Sequence, residues 1–173
     1  MNGTLDATEG RFVLRFDRRL AHPPEKVWAA LTDPAELRHW FPQDVEADLR
    51  PGGTMRFTFR GGEAPPFDGE VLVYDPPRVF AYRWGPDVLR WELRADGSGC
   101  TLTFTDTIET QGKAARDAAG WHVCLEALAA RLAGTEPPPA GRWRQVHPGY
   151  VTRFGPEAAT IGPPAGASTG AGA

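Results

Sequence analysis

Apolar and polar residues alternate over residues 11–20, with Phe12, Leu14 and Phe16 on one side and Val13, Arg15 and Asp17 on the other. A period of two predicts a strand with one buried face. Pro23-Pro24 ends the strand and opens a helix, because proline suits the first helical turn, and Val27, Trp28 and Leu31 are that helix's apolar positions. A second helix start follows at Asp33-Pro34-Ala35-Glu36. Asp33 is placed to cap it, Pro34 takes its first position, and Glu36 would complete a capping box. This helix carries Leu37 and Trp40 and ends near Phe41-Pro42.

Short alternating runs then repeat. They are Val45, Ala47 and Leu49; Met55, Phe57 and Phe59; residues 67–74; Phe80, Tyr82 and Trp84; Leu89, Trp91 and Leu93; and Leu102, Phe104 and Ile108. Pro51-Gly52-Gly53, Gly61-Gly62, Asp75-Pro76-Pro77, Gly85-Pro86 and Asp96-Gly97-Ser98-Gly99 separate them. Strands joined by such turns predict an antiparallel meander. The period then changes. Ala114, Ala118, Trp121, Leu125, Leu128 and Leu132 recur every three or four residues and define one apolar stripe on a helix of about twenty residues. Gly134 fits its C-terminal cap.

This order predicts an α+β helix-grip fold: a curved antiparallel β-sheet wrapped around one long C-terminal α-helix, with two short helices after the first strand. Residues 1–10 read as a flexible N-terminus and residues 11–134 as the domain. Residues 135–160 read as a Pro/Gly-rich tail partly packed on it, and residues 161–173 as a disordered tail. A chain ending near Phe154 is expected to keep the fold, since little beyond it could be buried.

Composition narrows the function. The 173 residues are 41% hydrophobic and 24% charged, which suits one soluble globular domain. A formal charge of −3 leaves no basic excess for phosphates, so nucleic acid is not an expected partner. No apolar run approaches the ~18 residues of a membrane span. The first residues lack a secretory pattern, and a cytoplasmic location is expected. Two cysteines exclude a disulfide framework, and His22, His39, His122 and His147 are not spaced as ligand pairs, so no metal and no cofactor are expected. The usual catalytic motifs are missing, and no catalytic residue is assigned.

The run His22-Pro23-Pro24-Glu25-Lys26-Val27-Trp28-Ala29-Ala30-Leu31-Thr32-Asp33-Pro34, continued by Leu37-Arg38-His39-Trp40, resembles the opening of the START-like superfamily, also called SRPBCC or Bet v 1-like. Leu49-Arg50-Pro51-Gly52-Gly53, Gly69-Glu70-Val71, Pro76-Pro77 and Gly120-Trp121 resemble one branch, the domain homologous to the C-terminal part of the activator of the Hsp90 ATPase. The resemblance covers residues 11–134 and implies the helix-grip fold. Members bind lipids, hormones or flavonoids, cyclise polyketides, or contact a chaperone, so it leaves the function open.

A strongly curved sheet cannot meet a straight helix everywhere, and the gap between them is a cavity. The candidate ligand-facing residues are Trp40, Phe57, Phe59, Phe67, Val71, Tyr82, Trp84, Trp91, Phe104, Trp121 and Leu125, drawn from an inventory of 6 Trp, 9 Phe and 3 Tyr. The same rings would serve as core. Asp106 continues the inward register of Leu102 and Phe104, at a position where the resembling family often has His. A solvated strand end is the favoured reading for it, and a polar group inside the cavity the alternative. His122 is placed at the cavity mouth or its polar rim, and Asp106 with His122 would be the candidate acid–base pair. Arg142-Trp143-Arg144 reads as solvated tail, with a docking arm as the alternative. The expected function is binding of a small apolar or aromatic ligand in the internal cavity. The alternatives are a chaperone- or protein-interaction module of the Hsp90-activator type, and a cyclase- or dehydratase-like enzyme.

Overall fold

A computed structural model describes residues 2–8, 10–62 and 64–162. Strands β1 (Thr4–Thr8), β2 (Arg11–Leu20), β3 (Asp44–Ala47), β4 (Thr54–Thr58), β5 (Phe67–Asp75), β6 (Val79–Trp84), β7 (Asp87–Asp96) and β8 (Gly99–Ile108) form one curved antiparallel sheet in the order β1-β2-β8-β7-β6-β5-β4-β3. The meander from β3 to β8 follows from the turn signals, and β2 closes against β8. Helices α1 (Pro24–Thr32) and α2 (Pro34–Leu37) follow β2, while α3 (Ala114–Ala133) crosses the concave face. The helix-grip fold is therefore the observed one. No helix among the described residues is long and apolar enough to cross a membrane.

The register of the central strands fixes what lies under the helix. Leu14, Asp106 and Leu89 form one row across β2, β8 and β7, and Phe16, Phe104 and Trp91 form the next. All six are buried, because every second residue of a strand turns to the same face. The stripe on α3 meets them: Ala114, Ala118, Trp121, Leu125, Leu128 and Leu132 are all buried. Gly134 ends the helix in the left-handed conformation, with φ of 69°.

Several local details depart from expectation. Asp33 does cap α2, accepting a hydrogen bond from the Ala35 N–H at 2.8 Å. The capping box does not close, because Glu36 instead takes two hydrogen bonds of 2.9 Å from the Arg131 guanidinium on α3. A forked, charged donor outcompetes a backbone N–H. Trp40 lies in the turn after α2, and its indole N–H donates to the Ala30 carbonyl at 2.8 Å.

The ends of the chain carry more structure than the sequence reading assigned to them. Residues 4–8, expected to be loose, pair with β2 as an edge strand. The Pro/Gly-rich stretch contains helix α4 (Arg142–Phe154), which packs on α3 and buries Tyr150. Pro148 and Gly149 in its middle hide the helix from a propensity reading. From residue 163 onward the expected disordered tail lies outside the described residues. Ala158 is fully buried, and the Ile161 N–H donates to the Gly112 carbonyl at 3.0 Å. The segment after α4 thus anchors the start of α3. We expect a chain ending at Phe154 to melt about 2–4 °C below the full chain in calorimetry. Equal melting temperatures would contradict this anchoring role.

Candidate functional site

Trp121 sits at the middle of α3 and at the centre of the ring cluster. Its indole lies 4.8 Å from Phe104, 5.4 Å from Trp84, 5.9 Å from Phe41 and 6.2 Å from Trp91, centroid to centroid. Trp91 stacks on Phe104 at 4.0 Å, and Trp40 meets Trp91 edge-on at 5.4 Å. Phe57 stacks with Phe67 and with Tyr82. Of the candidate residues, Trp40, Phe57, Val71, Tyr82, Trp91, Phe104 and Leu125 are buried in this core, while Phe67 is half-buried beside Phe57, Phe59 and Trp84. The middle of the sheet–helix space is thus filled by rings.

A hollow of about 540 Å³ lies between α1 and the end of α3, and a more apolar pocket of about 340 Å³ forms toward the start of α3. Phe59, Trp84 and Trp121 line it, so three of the candidates meet there. Pro42 and Gln43 from the turn after α2, Gly120 and Cys124 from α3, and Trp143 from α4 complete its mostly apolar wall. Trp143 is held over α3 by its indole N–H, which donates to the Arg116 carbonyl at 3.2 Å. This is where the Arg142-Trp143-Arg144 stretch is engaged, together with a bidentate ion pair between Arg142 and Glu126. Sequence reasoning did not find Gln43, and it singled out Trp143 as solvated tail or docking arm rather than as a pocket residue. A buried glutamine in a turn leaves no periodic signal, and Trp143 stood in what read as tail. Burial pushes the Cys124 thiol up to about 12, which argues against a nucleophile.

The polar rim of the pocket is Lys113, Arg116 and Asp117. Asp117 also joins the buried Asp87 and Asp106 in an acidic cluster whose carboxylate oxygens lie within 4.8 Å of one another. Asp106 is not solvated, contrary to the favoured reading. It is fully buried in the row between Leu14 and Leu89, and its Oδ2 accepts from the Trp121 indole N–H at 2.8 Å. Burial holds its carboxyl well above the usual carboxylate range, the charge of Asp87 pushes the same way, and the Trp121 hydrogen bond opposes. Burial also raises Asp87, against the pull of Lys113. The three carboxylates have the chemistry of a hard-cation site. The Lys113 ammonium already fills that place, bonded to Asp87 and 3.5 Å from Asp117 Oδ2.

His122 faces away from this cluster. Its Nδ1 lies 2.9 Å from the Tyr150 hydroxyl and its Nε2 lies 3.1 Å from Glu126. Tyr150 also accepts from the Gly3 N–H at 3.0 Å. His122 therefore belongs to a latch joining α3, α4 and the N-terminal segment. The structure gives Asp106 and His122 different partners and does not pair them as acid and base.

Linkage makes the Asp106 arrangement testable. Its folded-state value lies above the ordinary 3.8, so the folded protein resists ionisation. The resulting cost is absent below about pH 3.8 and grows as pH rises toward the folded value. Asp106→Asn keeps an acceptor for Trp121 and cannot ionise. It should raise Tm by about 2–4 °C at pH 7, with the gain closing toward pH 4. A gain of the same size at both pH values would contradict this assignment.

Comparison with known proteins places the architecture. The family described as activator of Hsp90 ATPase homolog 1-like protein matches residues 21–133. No curated protein matches the sequence. The solution structure of the protein encoded by gene BPP1335 of Bordetella parapertussis is 31% identical, with a TM-score of 0.71 and 88% of this chain and 90% of that one covered. A conserved protein of unknown function from Enterococcus faecalis, EF2215, is 19% identical, with a TM-score of 0.73 over 88% and 90% of the two chains. DynU16, described as a putative protein in the dynemicin biosynthetic locus, is 28% identical with a TM-score of 0.63. That match covers 72% of this chain and 48% of DynU16. With more than half of its length matched, and with the sheet and long helix in place, the chain belongs to the activator of Hsp90 ATPase homolog 1-like family of the SRPBCC superfamily.

Proposed function

We propose that this protein binds a small, flat, largely apolar molecule in the pocket between Trp84, Trp121 and Trp143. The observation that carries the proposal is Gly120. It sits in the middle of a 20-residue helix, where glycine costs about 1 kcal/mol relative to alanine. Nothing lies within 4 Å of where its Cβ would stand, so no close neighbour requires the glycine. Its missing side chain leaves room in the pocket wall. A stability cost at a place where the only gain is space fits a ligand site. The volume of about 340 Å³ suits a two- or three-ring molecule. The likeness to DynU16, from a biosynthetic locus, agrees with a small organic ligand.

A protein-interaction module of the chaperone-activating kind has less support. Among the described residues the exposed large hydrophobic side chain is Ile161, and one exposed side chain does not make an apolar patch for a partner to cover. An enzyme of the cyclase or dehydratase kind would need a proton donor in contact with the ligand, and the raised Asp106 carboxyl lies behind the Trp121 ring.

Native mass spectrometry of the protein purified from its own cells is expected to show an added non-covalent mass. Gly120→Leu is expected to raise stability by about 0.5–1 kcal/mol through helix propensity. The same change should weaken binding of fluorene, measured by equilibrium dialysis, at least tenfold by filling the pocket. Unaltered fluorene binding in this variant would sink the proposal.

A further inference from the structure

We infer that Gln43 reads one atom of the ligand: an uncharged acceptor oxygen, such as a ring carbonyl, on the edge of a planar aromatic molecule. The inference rests on the pocket being a ligand site.

Gln43 is fully buried in the turn between α2 and β3 and lines the pocket. Its backbone carbonyl accepts from the Arg60 guanidinium at 3.0 Å, which fixes the turn. Its side-chain Oε1 accepts from the Trp84 indole N–H at 2.8 Å. An indole nitrogen can only donate, so this contact settles which end of the amide is oxygen. Nε2, with two N–H donors, is left facing no acceptor and is closed off from solvent. Among the described residues it is the one buried side-chain nitrogen without a partner, since the other unpartnered buried atoms are carboxylate oxygens. Buried amides are nearly always satisfied, and one that is not marks a missing partner. A ligand oxygen lying against Trp84 would supply that partner, with a small shift of the Gln43 side chain to bring Nε2 to the pocket wall that this residue lines.

The charges around the pocket decide the kind of oxygen. Lys113 is paired with Asp87 and Asp117, and Arg116 with Asp117 at 2.7 Å. The rim cations are therefore already matched, and a carboxylate entering the pocket would find no free countercharge on them. A neutral carbonyl asks only for the amide donor. Gln43 is in this sense a specificity residue: it rejects a pure hydrocarbon, because closing the pocket over one would leave the donor unpaired.

The test uses 9-fluorenone and fluorene, planar three-ring molecules that differ by the carbonyl oxygen, and equilibrium dialysis of the full chain. The parent protein should bind fluorenone about tenfold or more tighter than fluorene. Fluorenone-2-carboxylate should bind no tighter than fluorenone. Gln43→Glu, when ionised, keeps an acceptor for Trp84 and removes the donor, and Gln43→Met removes both with little change in shape. In either variant the fluorenone-to-fluorene preference should fall to about one. The comparison within the parent protein stands even if a variant fails to fold. Equal binding of both probes by the parent would overturn this inference while leaving the pocket as a ligand site. A preference that survives both substitutions would overturn the assignment to Gln43. Failure of every probe to bind would overturn the inference and the pocket reading together.

Discussion

The hydrogen bond from the Trp121 indole to Asp106 ties the middle of the long helix to the centre of the sheet. The rings at the centre of the core are placed relative to it. Phe104 lies under Trp121, Trp91 stacks on Phe104, and Trp40 closes against Trp91 from the α2 side. Remove the bond and a buried carboxyl loses its partner while the largest side chain on α3 loses its orientation. A polar contact of this kind contributes less to net stability than the ring packing around it, but it selects one arrangement of those rings. Directional bonds restrict geometry where dispersion does not.

The pocket is a consequence of how far that packing extends. Under the C-terminal half of α3 the stripe of Leu125, Leu128 and Leu132 meets α1 and the sheet, and a more polar hollow opens only beside its last turn. Toward its start the helix faces the turn after α2 and the end of β6, where Trp84 is only half-buried. There Gly120 offers no side chain, and the ends of Lys113 and Arg116 turn to the acids. The same helix thus packs its leucines closely and leaves an apolar opening near its start.

Much of this was legible in the chain. The period-two runs and the stripe on α3 gave the strands and the long helix, because burial on one face leaves a regular trace in sequence. The inward register of Asp106 was legible too, but its burial was not. Alternation shows which way a residue points and not what covers it; the cover here is Trp121, fifteen residues away on another element. Gln43 and Trp143 left no periodic trace, since one sits in a turn and the other on a helix interrupted by Pro148. His122 was legible as a rim residue, while its partner Tyr150 lay in a segment that read as tail. Side chains that meet only through tertiary structure are the ones a linear pattern cannot pair.

Trp143 closes the pocket from α4, and α4 lies beyond the residues 21–133 that define the family match. The family-matched stretch therefore supplies most of the pocket lining, and α4 adds Trp143. Such a division separates two evolutionary demands. Changes in α4 can reshape the pocket while the contacts between the sheet and the long helix stay untouched.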